Sequence, residues 1–523
     1  MVDILRLKQK CILPYYLPLL VNKVASGIKK LAGQTVIYGL GTIVPRFLNY
    51  LLTPILTRAF LPAEYGINSE LYAYISFLNI IFTYGMETTF FNFNSKLENK
   101  QDVYNNAIIS LITSSVIFSL LLFLFSSTIS GALSTPNAVY PVQFIVWSIL
   151  IISTDAITVI PFAKLRAENK ALKFSILKLS NVLVNVLITL FFLTICKPAY
   201  DHQEQNFFAS LYNPQIGIGY CFLANLLANL FTLVLLSKQL AEVRFNINIV
   251  LLKQMLRYTW PLIILGLAGM VNETLDRIIL KKLMVDKSEA QVAQGIYGAC
   301  YKIAILMTIF IQAFRFAAEP FFFGKAKEND SQKSYALIMK YFVIFCLFLF
   351  LGTIMNMDWI KYIVDEKYWS GLSVVPILLL ANLCLGVVYN LSIWYKLSGE
   401  TKFGAVIAIV GAIITIAINV IFIPTYSYIA CAWATLAAYS SMMILSYILG
   451  QKYFPIKYNV RAISVYVIIA LGFYFISFTY SDMESTIIKL ILNNLFVILF
   501  AWFVYKLEFS NLKKLRANGN TTN

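Results

Sequence analysis

Charged residues make up only 13% of this 523-residue chain, against about 25% in soluble domains. That shortage excludes an ordinary solvated fold, whose surface has to be largely polar. Histidine is almost missing: His202 is the single one, so a histidine-built acid–base or metal centre has no material. The seven cysteines, Cys11, Cys196, Cys221, Cys300, Cys346, Cys384 and Cys431, stand singly and nearly all within apolar segments. Neither a disulfide framework nor a metal knuckle follows from such spacing, and no metal site is expected. The formal charge of +17 comes from lysines and arginines in short loops between apolar runs, where they set membrane orientation. No nucleic-acid partner is read from it.

What the chain has instead is hydrophobic length. Hydrophobic residues make up 59% of it, with a mean hydropathy of +0.74. Runs able to cross a bilayer, about 20 residues each, fall at 35–57, 68–90, 105–127, 142–163, 174–195, 216–237, 258–280, 295–318, 334–355, 372–394, 403–423, 427–449, 462–480 and 487–505. The expectation is an all-α membrane protein of about fourteen transmembrane helices. A β-barrel is excluded because these runs are continuously apolar rather than alternating. With the N-terminus placed inside, the inner segments carry 28 lysines and arginines and the outer loops 7. This bias puts both termini in the cytoplasm. One loop dissents, with Lys281, Lys282 and Lys287 outside. The N-terminal run from Cys11 to Val21 resembles a signal peptide, but Pro14 and Pro18 interrupt it, and it is read as a cytoplasmic or interfacial arm.

A shift of 232 residues lays Tyr65-Gly66 on Tyr297-Gly298, Glu87 on Glu319, Phe91 on Phe323, Lys164-Leu165 on Lys396-Leu397, Glu168 on Glu400 and Lys170 on Lys402. A constant offset through three helices marks a duplicated six-helix unit. Because six is even, both copies enter the membrane from the same side, as a parallel repeat of two six-helix lobes followed by two C-terminal helices. Such lobes around a central cavity form a secondary-transporter architecture. The expected divisions are an N-terminal arm at 1–34, an N-lobe at 35–237, a linker at 238–257, a C-lobe at 258–449, two further helices within 450–505 and a cytoplasmic tail at 506–523.

Particular motifs then become legible. Thr57-Arg58-Ala59-Phe60-Leu61-Pro62-Ala63-Glu64-Tyr65-Gly66 resembles the TR-x-L-x-P-x-EYG stretch of bacterial Wzx-type polysaccharide flippases. Trp260-Pro261, Asp276-Arg277-Ile278-Ile279-Leu280, Gly295-Ile296-Tyr297-Gly298, Tyr301-Lys302-Ile303 and the Phe314 to Phe323 stretch are similar to later parts of that family. The likeness extends over roughly residues 30–450. It implies membership of the multidrug/oligosaccharidyl-lipid/polysaccharide exporter superfamily. It also implies transfer of an undecaprenyl-pyrophosphate-linked oligosaccharide between leaflets of the bacterial inner membrane, and hence lipid-linked oligosaccharide and membrane lipid as ligands. A polysaccharide polymerase and a chain-length regulator are the candidate partners.

Ionisable groups within spans cost about 2.5–3.5 kcal/mol each at the bilayer centre, so each is a functional candidate. Arg46 lies eleven residues from either end of its span, too deep to snorkel. It is read as facing a wet cavity or bonding a neighbouring helix. Arg277 and Lys302 are the other candidate cavity cations, suited to a pyrophosphate. Asp155, whose repeat equivalent is Val387, is a candidate for proton or sodium coupling, for partnering a buried cation, or for a structural hydrogen bond to a nearby Ser or Thr. Glu273, Asp276 and Arg277 are spaced to share a helix face, either as an internal Glu273–Arg277 pair or as a gating cluster. Glu87 and Glu319, duplicated at inner helix ends, are candidates for closing an inner gate or holding loop geometry. Arg315 is expected in a surface pair with Glu319 four residues on, and His202 in solvent. No cofactor is expected beyond a coupling H+ or Na+.

Two other functions remain open from residues alone. A multidrug extruder of the same superfamily needs a cavity dominated by carboxylates and aromatics. A membrane glycan polymerase, ligase or acyltransferase needs a sizeable outer loop or an intramembrane histidine for acid–base chemistry; the longest outer loop here, 196–215, is about twenty residues and holds the sole histidine.

Overall fold

The computed structural model describes residues 37 and 39–519 apart from 136–137, 326–330, 481–482 and 484, with the side chains at 287–288, 317, 319–320, 323–325 and 509–519 outside that description. The arm expected over 1–34 lies outside the described residues. Among these residues the regular structure is helical, and the one β-type pairing is an isolated bridge between Thr135 and Ala138.

The long helices of the first half are α1 (39–51), α2 (Pro62–Thr83), α3 (Lys100–Leu124), α4 (Val142–Ala167), α5 (Ala171–Leu190) and α6 (Tyr220–Leu235). Those of the second half are α7 (Ile249–Leu283), α8 (Lys287–Lys325), α9 (Ser331–Met355), α10 (Val374–Leu391), α11 (Lys402–Tyr426) and α12 (Tyr428–Tyr453). Two more follow, α13 (Val460–Ser477) and α14 (Thr486–Gly519). Among the described residues eleven helices are long and apolar enough to cross a membrane, and each overlaps a run found in the sequence. The runs at 35–57, 68–90 and 258–280 are the three without such a match. They correspond to α1, which is described over 39–51 only and is too short to count, and to α2 and α7, whose Glu64, Glu70, Glu273, Asp276 and Arg277 lower their hydropathy. α7 also begins inside the linker expected over 238–257 and runs through residue 257 without a break.

The duplication is written in the packing. In the first half α2 packs on α4, α3 on α4, α4 on α6 and α5 on α6. In the second half α8 packs on α10, α9 on α10, α10 on α12 and α11 on α12. α1 meets α5 where Ser175 Oγ donates to the Ile37 carbonyl at 2.8 Å, as α7 meets α11 where Asn272 Nδ2 donates to the Ala408 carbonyl at 3.0 Å. The repeated Lys-Leu-x-x-Glu-x-Lys pattern makes the same local ion pair twice, Glu168–Lys170 at 2.7 Å and Glu400–Lys402 at 2.8 Å. In the first of these loops the Glu168 carboxylate, by hydrogen bond and field, raises the Lys170 ammonium above its ordinary value.

The Thr57 to Gly66 motif is a helix start. Pro62 takes the first helical turn, where its missing N–H costs nothing, and Glu64 accepts the orphan Leu61 N–H at 2.9 Å. Gly66 then lets α2 approach α8: a Cβ there would lie 2.5 Å from the Gln291 carbonyl oxygen. Gly298, its repeat partner, sits where a Cβ would come 2.5 Å from Ser69 Oγ, and a Cβ on Gly295 would overlap the Pro62 carbonyl. Small residues that let helix backbones touch are the usual means of association in lipid. Here they join the two halves.

α13 and α14 belong to the second half through polar contacts with α9 and its C-terminal end. Asn493 Nδ2 donates to the Met355 carbonyl at 2.8 Å and Asn494 Nδ2 to Asn356 Oδ1 at 3.0 Å. Near the other end Glu508 accepts from Lys340 Nζ at 2.5 Å and Tyr466 hydroxyl at 2.7 Å. Their outward faces carry exposed Ile468, Phe475, Ile487, Ile491 and Ile498, as lipid contact requires.

Candidate functional site

Between the two halves lie two adjoining cavities of about 440 and 370 Å³, which share Asn49, Arg277, Tyr301 and Lys302 in their walls. The larger is lined by Arg46 from α1, Glu273 and Arg277 from α7, Lys302 and Arg315 from α8, and Tyr389 from α10. Four cations thus face one carboxylate. The structure brings together Arg46, Arg277, Lys302 and Glu273 from the sequence candidates, and adds Arg315.

Arg277 is the wall between the cavities. Its guanidinium lies 4.0 Å from the centre of the Tyr301 ring, a cation–π contact, while Nε and Nη2 are buried without hydrogen-bond partners. Among the described residues no carboxylate lies within ion-pairing distance of it. Arg46 and Lys302 likewise have no ion-pair or hydrogen-bond partner among the described residues. Desolvated, unpaired guanidinium groups are expensive in a membrane interior. Here they line a polar cavity, where they present donors to any anion that enters it.

Several expectations are corrected. Glu273 and Arg277 line the same cavity but form no ion pair within 4 Å. Asp276 does not share their face: one residue before Arg277, it is rotated about 100° away. It is 3% exposed, and its Oδ2 accepts the Tyr297 hydroxyl at 2.5 Å inside the second half. Arg315, read as a surface cation, instead lines the cavity with its guanidinium 5.1 Å from the Tyr389 ring centre. The Glu319 side chain lies outside the described residues. Glu87 is on neither cavity; it accepts from Arg166 Nη1 at 2.6 Å as an exposed pair tying the start of the Met86–Lys96 helix to the end of α4. Asp155 is set back behind the smaller cavity, where Asn229 Nδ2 donates to its Oδ1 at 2.9 Å.

The sequence reading missed a second buried charge cluster, across the junction of the halves. Glu70 on α2 is 1% exposed and Lys281 at the end of α7 is 7% exposed. Lys281 Nζ lies 3.4 Å from Glu70 Oε2 and donates to the Leu133 carbonyl at 2.5 Å. Tyr140, from the segment leading into α4, donates its hydroxyl to the same carboxylate oxygen at 2.5 Å. Its ring sits 4.4 Å from the Lys281 ammonium. Tyr368 reinforces this end by donating to the Phe60 carbonyl at 3.0 Å. Lys281, one of the three lysines that dissent from the orientation rule, therefore lies in the last turn of α7 as a bonded cation buried at the junction of the halves. Its signal in the sequence was its departure from the orientation rule.

Two repeated six-helix halves around a polar cavity are also the fold of solved membrane-transporter structures. The lipid II flippase MurJ in an inward closed conformation superimposes with a TM-score of 0.63 at 14% identity, covering 90% of this chain and 99% of that one. An inward-facing multidrug resistance MATE family transporter of the MOP superfamily gives 0.60 at 13% identity, covering 80% and 97%. An outward-facing one gives 0.57 at 13%, covering 81% and 95%. The sequence itself matches the model of the polysaccharide biosynthesis protein family over residues 31–325, more than half of the chain, and the protein belongs to that family. No curated protein matches it.

Proposed function

We propose that this protein flips an undecaprenyl-pyrophosphate-linked oligosaccharide across the bacterial inner membrane by alternating access of its two lobes, 35–237 and 258–449, with α1, α2 and α7 completing fourteen spans. The observation that carries this reading is the cavity lined by Arg46, Arg277, Lys302 and Arg315 against Glu273 alone. A diphosphate needs several charge-assisted donors, and arginine supplies them in forked geometry. Arg277 has two guanidinium nitrogens without partners. The loop charge bias makes the α7–α8 end periplasmic and both termini cytoplasmic, so the Glu70–Lys281 cluster closes the periplasmic side. A third cavity of about 610 Å³, almost wholly apolar and lined by Leu347, Leu383, Val387, Met443, Ile463 and Val467, offers a surface on which an isoprenoid tail can remain in a lipid-like environment. No step of this transfer makes or breaks a covalent bond, so the chain acts as a transporter and not as an enzyme. Asp155 is the coupling group we favour for H+ or Na+, and a polymerase and chain-length regulator are the partners we expect at the periplasmic face.

Deleting the gene should accumulate lipid-linked oligosaccharide on the inner leaflet and remove a surface polysaccharide. A persisting surface glycan with increased retention of cationic dyes would favour the second reading, a multidrug antiporter, which rests on the MATE-like fold and on Glu273 in the cavity.

A further inference from the structure

The two cavities differ in chemistry in a way that a diphosphate alone does not explain. The only charged residues that line the smaller one are Arg277 and Lys302, which it shares with the larger. Its other polar lining is of neutral amides and hydroxyls, among them Asn49 on α1, which the larger cavity also touches, Asn68 and Tyr72 on α2, Asn181 and Asn185 on α5, and Asn225 on α6, set among apolar residues such as Leu56 and Val182. Five asparagines from four helices of the N-lobe converge on one space of about 370 Å³, within the roughly 300–1,000 Å³ typical of small-molecule sites.

Part of this set is braced and part is free. Asn181 Nδ2 donates to Asn229 Oδ1 at 3.1 Å and to Thr232 Oγ1 at 2.8 Å. Asn225 Nδ2 donates to the Tyr72 hydroxyl at 3.1 Å. By contrast Asn68 Oδ1 is buried with no partner, and the side-chain amides of Asn49 and Asn185 hydrogen-bond to nothing among the described residues. Unpaired amides within apolar helices are costly, and they face a cavity, where a ligand can complete them. An amide both donates and accepts, as a sugar hydroxyl does. A carboxylate-bearing ligand would need cations there, and an apolar one would strand the amides.

We propose that the smaller cavity is the subsite for the uncharged sugar residues adjoining the diphosphate, with Arg277 and Lys302 at its mouth holding the phosphates. The charged and neutral parts of one ligand then fall on opposite sides of Arg277. This inference rests on the reading of the protein as a carrier of lipid-linked saccharide.

The test measures binding of two probes to the full-length protein in nanodiscs: undecaprenyl diphosphate, and the same lipid bearing one N-acetylglucosamine. The wild-type protein should bind the glycosylated probe more tightly. Asn185→Leu, which replaces the amide with an apolar group of the same branching and removes no internal hydrogen bond, should weaken the glycosylated probe by up to about tenfold, the equivalent of one hydrogen bond, and leave the bare lipid unchanged. Asn185→Gln should recover part of the loss, and unchanged melting temperatures would show that both variants are folded. Arg277→Gln should weaken both probes. Equal affinity of the wild type for the two probes, or an equal effect of Asn185→Leu on both, would overturn the sugar subsite while leaving the carrier reading standing. Failure of the wild type to bind either lipid would instead remove the carrier reading, and the subsite with it.

Discussion

Replacing Lys281 with methionine should open the α7–α8 end of the molecule. Lys281 and Glu70 are both buried and come from opposite halves, so the contact exists only while that end is closed. Removing one partner of a buried pair costs about 3–5 kcal/mol, because the other charge is left uncompensated. The Tyr140 hydroxyl would remain on Glu70, which puts the expected loss at the lower bound, about 3 kcal/mol. At roughly 1.4 kcal/mol per tenfold, this is a factor of about 150 in the ratio of closed to open. A protein open at this end in about one molecule in a hundred would become open in about half of them. The assay is pulsed electron spin distance measurement between labels at Val139→Cys and Val285→Cys, both highly exposed and on opposite halves, in a background freed of native cysteines. Lys281→Met should add a long-distance population, and adding Glu70→Leu to it should remove that population again, since an apolar pair of similar volume closes as well as the ion pair. A distance distribution unchanged by Lys281→Met would refute the reasoning, as would a double variant no more closed than the single.

Arg46→Ala should abolish flipping while leaving expression and insertion intact, and Arg46→Lys should restore it only in part because the fork is lost; a fully active alanine variant would take Arg46 out of the mechanism. Gly295→Leu places a side chain against the Pro62 carbonyl and should hold the α2–α8 contact apart, seen as the same long-distance population between residues 139 and 285. Reporter fusions after residues 137 and 205 should read periplasmic and those after 168 and 455 cytoplasmic, and a periplasmic signal at 168 would reverse the proposed orientation.

Eleven of the fourteen expected spans and the duplication were legible because both rest on one-dimensional patterns, apolar run length and a constant offset, that tertiary packing does not disturb. The convergence of Arg46, Arg277 and Lys302 was legible for a related reason: a charge in a lipid-spanning helix has few places to go. Direction around a helix was harder. Asp276 and Arg277 are neighbours in sequence, and only the structure shows the aspartate turned to Tyr297 and the arginine to the cavity. Arg315 was obscured because a glutamate four residues away supplied an easier explanation. The asparagines of the smaller cavity escaped notice because they carry no charge, and counting amides within apolar runs does not separate them, since the runs at 105–127, 372–394 and 487–505 also hold two asparagines each. Glu70 and Lys281 are 211 residues apart, and no local pattern joins them.

The glycines that join α2 to α8 bear on the history of the chain. Gly66 and Gly298 occupy equivalent places in the two copies of the repeat, and each admits the other copy's helix. A surface that accepts its own duplicate is an isologous one, the kind that closes a two-fold homodimer. Before duplication and fusion, a single six-helix unit carrying one Tyr-Gly pair could have assembled with a second copy of itself through that pair. Fusion then freed the copies to diverge, so that one half could gather cations and the other amides, a division of labour closed to a symmetric dimer.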